Sequence, residues 1–298
     1  MRALIVGILI SGLGLVSGAR AEDGFGPGLV PAAAQSFPLG ALRVVALSDG
    51  RFVLHNDGKV FGVDAAPGAV GSLLRDSGLP DDRITLSVSA LLVRVGQRVV
   101  LLDTGLGTKN GGGALLASLK DAGVSPAEVT DIVITHTHFD HVGGLVDAGG
   151  KLVFPNATIG MAEAEWKWMR ANAGAQELVK AIEGRVKTFT PGAVVAPGVT
   201  SVALDGHTPG HVGYEIVSGS DRLLDIGDLA HSSIVSLKKP DWKMGFDSDA
   251  EVARASRRST LARLAKDGEL VFSPHFPYPG IGHVVAEGEG FAWKPAKP

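Results

Sequence analysis

The chain contains no cysteine. Disulfides and thiolate metal ligands are therefore both excluded, and any bound metal rests on imidazole and carboxylate. Such donors suit Zn²⁺, Mn²⁺, Fe²⁺ or Co²⁺ and disfavour Cu(I) or an iron–sulfur cluster. There is also no basic run and no interleaving of basic with aromatic residues, and the net charge is only −3 over 298 residues. Neither nucleic acid nor an anionic membrane is expected as a partner. The longest apolar run, Ala3 to Val16, is too short and too broken by glycine for a membrane span, which takes about 20 residues. Low-complexity linkers are missing as well, so the chain after its first residues reads as one domain.

What is present begins with Met1-Arg2, the apolar run, and Ala19-Arg20-Ala21. A positive start, an apolar middle and an Ala-x-Ala site read as a secretory signal peptide cut after Ala21, with a periplasmic or secreted mature chain. Residues 22–40, rich in Gly, Pro and Ala, read as an irregular lead-in, and residues 41–298 as a single catalytic domain. Glycine is abundant, 41 residues, which suits a loop-rich enzyme better than a helical bundle.

From Ala41 on, short β-branched runs alternate with helical spacing, the pattern of an α/β protein. Leu42 to Gly50 is expected to be a strand ending in a turn, with Arg51 to Leu54 returning as its hairpin partner. Thr85–Val95 and Arg98–Leu102 are further strands. Ser125-Pro126-Ala127-Glu128 has the form of a helix start, and Ser248-Asp249-Ala250-Glu251 a capping box opening a long helix to Lys266. Glu163–Arg170 reads as a helix; Trp166 and Trp168, two apart, cannot share one of its faces.

The most informative stretch follows the apolar run Asp131–Ile134. It reads Thr135-His136-Thr137-His138-Phe139-Asp140-His141-Val142-Gly143-Gly144. A buried strand delivers its histidines into the loop at its end, and Gly143-Gly144 is expected to let the backbone bend. Further chemistry-bearing residues sit where other expected strands end: Asp103 after Arg98–Leu102, His207 and His211 in Gly206-His207-Thr208-Pro209-Gly210-His211, Asp228 after Gly227, and His275 after Pro274. Of these, His136, His138, His141, His211 and His275 with Asp140 and Asp228, five histidines and two carboxylates, exceed what one ion takes and suit two metals sharing a bridging carboxylate.

The stretch from His136 to His141 resembles the His-x-His-x-Asp-His signature of the metallo-β-lactamase-fold hydrolases. The downstream loops, with Phe246-Asp247-Ser248-Asp249, Pro274-His275 through His283 and Leu47-Ser48-Asp49-Gly50, resemble methyl parathion hydrolase and its lactone- and ester-cleaving relatives over roughly residues 40–295. The resemblance implies a four-layer αββα sandwich with a metal site at one edge of two sheets. It implies two divalent ions, zinc first with Mn, Fe or Co as alternatives. The first ion is expected on His136, His138 and His211, the second on Asp140, His141 and His275, with Asp228 bridging. Asp103 is expected to orient a metal-bound imidazole, and His207 to be a supporting residue rather than a ligand.

The implied reaction is attack of a metal-bridging hydroxide, oriented by Asp140, on a small, neutral, fairly apolar lactone or ester. Where some lactonases of the superfamily carry a Tyr three residues after the bridging Asp, this chain has His231, placed either to polarise a carbonyl or simply at the pocket wall. Phe139, Trp166, Trp168, Phe276 and Tyr278 are pocket candidates. Relatives that pair imply a homodimer. Rival readings are a phosphotriester hydrolase, a β-lactamase, a persulfide dioxygenase-like enzyme and an inactive metal-binding module.

Overall fold

The computed structural model describes residues 25–108 and 112–298; the expected signal peptide lies outside them. One sheet contains β1 (Gly26–Leu29), β2 (Ala34–Leu39), β3 (Leu42–His55), β4 (Arg83–Val95), β5 (Arg98–Leu102), β6 (Asp131–Val133), β7 (Thr158–Ala162) and β8 (Val186–Phe189). They run in the order β1-β3-β4-β5-β6-β7-β8, with β2 also on β3. From β5 to β8 the pairing is parallel. The second sheet contains β9 (Val194–Ala196), β10 (Val199–Ala203), β11 (Val212–Ser218), β12 (Asp221–Asp225), β13 (Leu270–Phe272), β14 (Ile281–Glu287) and β15 (Gly290–Pro295), in the reverse of chain order. Its β12–β13 pair is parallel.

The helices are α1 (Ala69–Asp76), α2 (Leu115–Asp121), α3 (Phe139–Val142), α4 (Glu163–Ala171), α5 (Gln176–Ile182), α6 (Val235–Lys238) and α7 (Ala250–Asp267). Three apolar clusters define the layers. Val44, Leu91, Val100 and Val133 of the first sheet meet Val212, Tyr214, Leu223 and Phe272 of the second. On the outer face of the first sheet, Leu101, Ile132 and Ile159 pack on Leu119, Met169 and Val179 of α2, α4 and α5. Behind the second sheet, Leu224 and Val271 pack on Leu237, Leu261 and Leu264 of α6 and α7. The result is an αββα sandwich. Strands covered on both faces must be apolar on both, which is why Val99 to Leu102 is a continuous apolar run without alternation. No helix among the described residues is long and apolar enough to cross a membrane.

Three sequence expectations are corrected. The lead-in is not irregular, because β1 and β2 lie within it and pair with β3. The expected hairpin at Asp49-Gly50 does not form; β3 continues through it, with its register against β4 shifted between Ser48 and Gly50. The Asp-Gly pair marks a bulge, and the buried Asp49 carboxylate accepts from Leu106 N at 2.7 Å and Leu115 N at 2.8 Å. Ser125 caps a helix that starts at Pro126, as expected, but that helix is only a single 3-10 turn, Pro126–Glu128. The cap of α7 is Asp249, not Ser248: its carboxylate accepts from Val252 N at 3.1 Å, and Gly268 ends the helix in the left-handed region.

Candidate metal centre

Both sheets end at the same edge, and the loops there place two groups of donor atoms side by side. The first group is His136, His138, His207 and Asp228. His136 Nε2 lies 3.0 Å from His138 Nδ1, and His207 Nε2 lies 3.2 and 3.0 Å from those two atoms. Asp228 Oδ2 is 3.3 Å from His207 Nε2. The second group is Asp140, His141 and His275. Asp228 Oδ1 stands 3.2 Å from His141 Nε2 and 3.1 Å from His275 Nε2, and Asp140 Oδ2 lies 3.6 and 3.5 Å from the same atoms. One Asp228 oxygen therefore faces each group.

The outer nitrogens set the tautomers. His207 Nδ1–H donates to Asp247 Oδ1 at 3.0 Å, His141 Nδ1–H to Asp103 Oδ2 at 2.8 Å, and His275 Nδ1–H to the Ser87 carbonyl at 2.7 Å. Thr135 Oγ1 gives its proton to Asp103 Oδ2 at 2.8 Å, leaving its lone pair for His136 Nδ1–H at 3.1 Å. Each of these four rings thus points its Nε2 inward, and in the neutral ring that nitrogen carries the lone pair a metal ion needs. His141 Nε2 and Asp228 Oδ1 are buried without a hydrogen-bond partner. Buried polar atoms left unpaired are costly. Converging neutral nitrogens with a shared carboxylate are a donor set that fits two divalent ions, each in a three- to four-ligand site.

Electrostatics agree with positive charge at this edge. Burial opposes ionisation of Asp228, yet the imidazoles of His275, His141 and His136 hold it well below the usual carboxylate range. Burial would also lower His207, but hydrogen bonds to Asp228 and Asp247 lift it to about 9.

One ligand expectation is overturned. His211 belongs to neither group. Its Nδ1–H donates to the Leu204 carbonyl at 2.7 Å and its Nε2 accepts from Asp228 N–H at 3.0 Å, so no lone pair is left. Burial and the neighbouring His207 push it down to about 3, which keeps it neutral. His207, expected only to support, supplies the donor atom instead. Asp103 sits under His141 and Thr135 as a hydrogen-bond acceptor, with the sole positive φ (61°) of a non-glycine among the described residues. Gly143-Gly144 serves close approach rather than bending. Gly143 has ordinary helical dihedrals, and a Cβ on either residue would meet a carbonyl oxygen of Leu106 or Thr104 at 2.1 Å.

The pocket expectations divide. Trp168 reaches His138 edge-on with ring centroids 5.9 Å apart, and Phe139 lies half-exposed against Phe52. Trp166 faces the other way, into the core under the first sheet, as the two-residue spacing requires. Phe276 is buried in the core behind the second sheet against Trp293. Tyr278 packs on the inter-sheet core and its hydroxyl donates to the Ala46 carbonyl at 3.1 Å. None of these three lines the site. Sequence reasoning missed Phe61 and Phe246, whose rings stand 6.4 and 5.2 Å from that of His231. His231 itself lies beside the centre, with Nε2 3.2 Å from Asp228 Oδ2 and neither ring nitrogen hydrogen-bonded.

Residues 83–275 match the metallo-beta-lactamase superfamily. The chain belongs to that superfamily. Among solved structures, it is similar to AidC, a dizinc quorum-quenching lactonase in complex with a product, N-hexanoyl-L-homoserine. That likeness has a TM-score of 0.85 and 30% identity, and covers 89% of this chain and 98% of AidC. It is also similar to the hydrolase AbOPH, with a TM-score of 0.80 and 29% identity, over 90% of this chain and 99% of the other. An N-acyl homoserine lactonase of Bacillus cereus is 27% identical over 168 residues; the match spans 54% of this chain and 61% of that relative.

Proposed function

We propose that this chain is a two-zinc hydrolase that opens the ring of small neutral lactones, N-acyl homoserine lactones foremost. The observation that carries the reading is the pair of donor groups facing the two oxygens of Asp228, with an unpaired His231 at their side. Its likeness to a dizinc lactonase over nearly the whole of both chains supports it.

His136, His138 and His207 would hold one ion, Asp140, His141 and His275 the other, and Asp228 both. Divalent ions there supply Lewis acidity, the chemistry that ester hydrolysis needs at neutral pH. The remaining work falls to the side chains. Asp140 Oδ2 faces the second group, where a carboxylate can orient an attacking water and take up its proton. His231 Nε2 lies at the centre, 3.2 Å from Asp228 Oδ2, where an imidazole N–H can donate to the carbonyl oxygen as negative charge develops on it. Phe61 and Phe246 beside His231, with Trp168 and Phe139 across the centre, offer apolar surface for an acyl chain and keep bulk water back.

The metal-binding loops contain no Arg or Lys. A site built for dianionic phosphate esters would carry such cations, so neutral substrates fit better. A panel of acyl homoserine lactones, simple lactones, aryl esters, a phosphotriester and a β-lactam, run on zinc-loaded protein, tests the reading. Efficient cleavage of the last two with no turnover of any lactone or ester would refute it. We further propose export, with a mature chain starting at Glu22; intact mass of protein from its native host checks this.

A further inference from the structure

Glu165 is a fully buried carboxylate in the first turn of α4, outside both donor groups. Its Oε1 accepts from Thr137 N and from Thr137 Oγ1, each at 2.7 Å. Its Oε2 accepts from Thr208 Oγ1 at 2.7 Å and from Gly210 N at 3.1 Å. Thr137 stands between His136 and His138; Thr208 follows His207. One carboxylate thus ties together the two loops, one from each sheet, whose imidazole nitrogens meet within 3.2 Å. The contact is close as well as polar: a Cβ on Gly210 would lie 2.2 Å from Glu165 N, so the loop rests directly on the start of α4.

We propose that Glu165 is a positioning residue that sets the separation of the His136–His138 loop from the His207 loop and so builds the first metal group. The inference rests on the two-metal reading above, but the clamp itself is a property of the chain. The carboxylate is needed for a definite reason. Its two oxygens meet four donors, two of which are backbone N–H groups that cannot turn round. In a glutamine, whichever way the amide lies, its NH₂ faces either Thr137 N–H or Gly210 N–H. Asp would be shorter by one methylene and would not reach both loops. The same helix carries Trp168 against His138, so the clamp also fixes one wall of the pocket relative to the metal group.

The test compares Glu165→Gln, Glu165→Asp and the milder Thr208→Val, which removes one of the four bonds and keeps side-chain shape. Two readouts are taken: amide hydrogen exchange of metal-free protein, and Co²⁺ binding followed by its visible absorption. The expected result for Glu165→Gln is faster exchange at both 136–138 and 207–210, with Co²⁺ affinity for one of the two ions down at least about 10-fold, the scale seen when support to a metal ligand is lost. Thr208→Val is expected to shift both readouts the same way by a smaller factor, and to decide the matter if Glu165→Gln does not fold. The proposal is overturned if the variants only lower the melting temperature while exchange in the two loops and Co²⁺ affinity stay as in the wild type, or if only one loop responds. A wild-type protein that takes up no Co²⁺ would refute the two-metal reading instead, and the exchange data would still decide the clamp.

Discussion

Exchanging the roles of His207 and His211 has a consequence that two substitutions separate. His207→Ala removes one of four donors from the first group and takes one partner from the Asp247 carboxylate, which keeps Arg257. Losing a partner of a ligand already costs about 10–100-fold in metal affinity, and losing the ligand costs at least that. The variant is therefore expected to retain one ion per chain after dialysis against a weak chelator. His211→Ala instead leaves the Leu204 carbonyl and Asp228 N–H buried without partners. At roughly 1–3 kcal/mol for each stranded group, and with a cavity added, the loss is on the order of 3–6 kcal/mol of stability. For a chain of 298 residues this lowers the melting temperature by roughly 6–20 °C. Elemental analysis and thermal melts of both variants, with and without zinc, provide the assay. If His211→Ala loses an ion while His207→Ala keeps two, the tautomer argument is wrong.

Three other outcomes are expected. Asp140→Asn, assayed at saturating zinc so that its weakened second site is filled, should lose turnover by about 100-fold or more, since a neutral amide cannot take up a proton. His231→Ala should slow unactivated alkyl lactones more than aryl esters, whose better leaving groups need less help at the carbonyl; equal losses on both, compared as kcat/KM ratios, would argue that His231 is only wall. The acid limb of metal-free stability should carry the signature of His211. Its folded pKa of about 3 lies below the usual value of about 6.5, so only the unfolded state takes up the proton between them, and stability is lost as pH falls through that window. The gap corresponds to roughly 5 kcal/mol at about 1.4 kcal/mol per pH unit; denaturant titrations from pH 7 to pH 4 should show a shallower slope in His211→Gln.

Much of the fold was legible because buried strands in this sandwich are continuous apolar runs and because each donor residue follows one. Val99 to Leu102 and Asp131 to Ile134 announce both the sheet and the residues at its edge. What failed was mostly two-valued at the level of residue type. An Asp-Gly after a strand marks either a turn or a bulge, and only the partners of the Asp49 carboxylate, Leu106 and Leu115, some 60 residues away, decide for the bulge. The strands β1 and β2 carry Gly and Pro and little alternation, so their pairing with the long β3 is a tertiary fact. Gly-His-Thr-Pro-Gly-His offers two histidines four apart, and both are fully buried. The choice between them rests on which ring has a spare lone pair, a matter of Leu204, Asp228 and Asp247, none adjacent in sequence. For the aromatic candidates, position near a motif was a poor guide. Phe276 directly follows His275 yet points into the opposite core, while Phe61 arrives from far upstream.

The same outer contacts explain how the site can exist as a built object rather than a loose set of loops. Thr135, Asp103, Asp247 and the Ser87 carbonyl each hold the far nitrogen of one ring, and Tyr214 OH donates to the Ile134 carbonyl at 2.6 Å, tying the second sheet to the root of the histidine loop. Behind Asp247 stands Arg257, buried in α7, within 3.4 Å of its Oδ2 and donating to the Pro240 carbonyl at 3.0 Å. These bonds span both sheets and α7, so orienting four imidazoles is a property of the whole sandwich. Local rigidity of this kind costs free energy, because donor atoms such as His141 Nε2 and Asp228 Oδ1 are gathered where water cannot pair with them. An ion that binds only the folded chain returns that energy as stability in proportion to RT ln(1 + [L]/Kd). Metal affinity and fold stability are therefore coupled through the outer partners, and a substitution at Asp103, Asp247 or Arg257 is expected to lower both together.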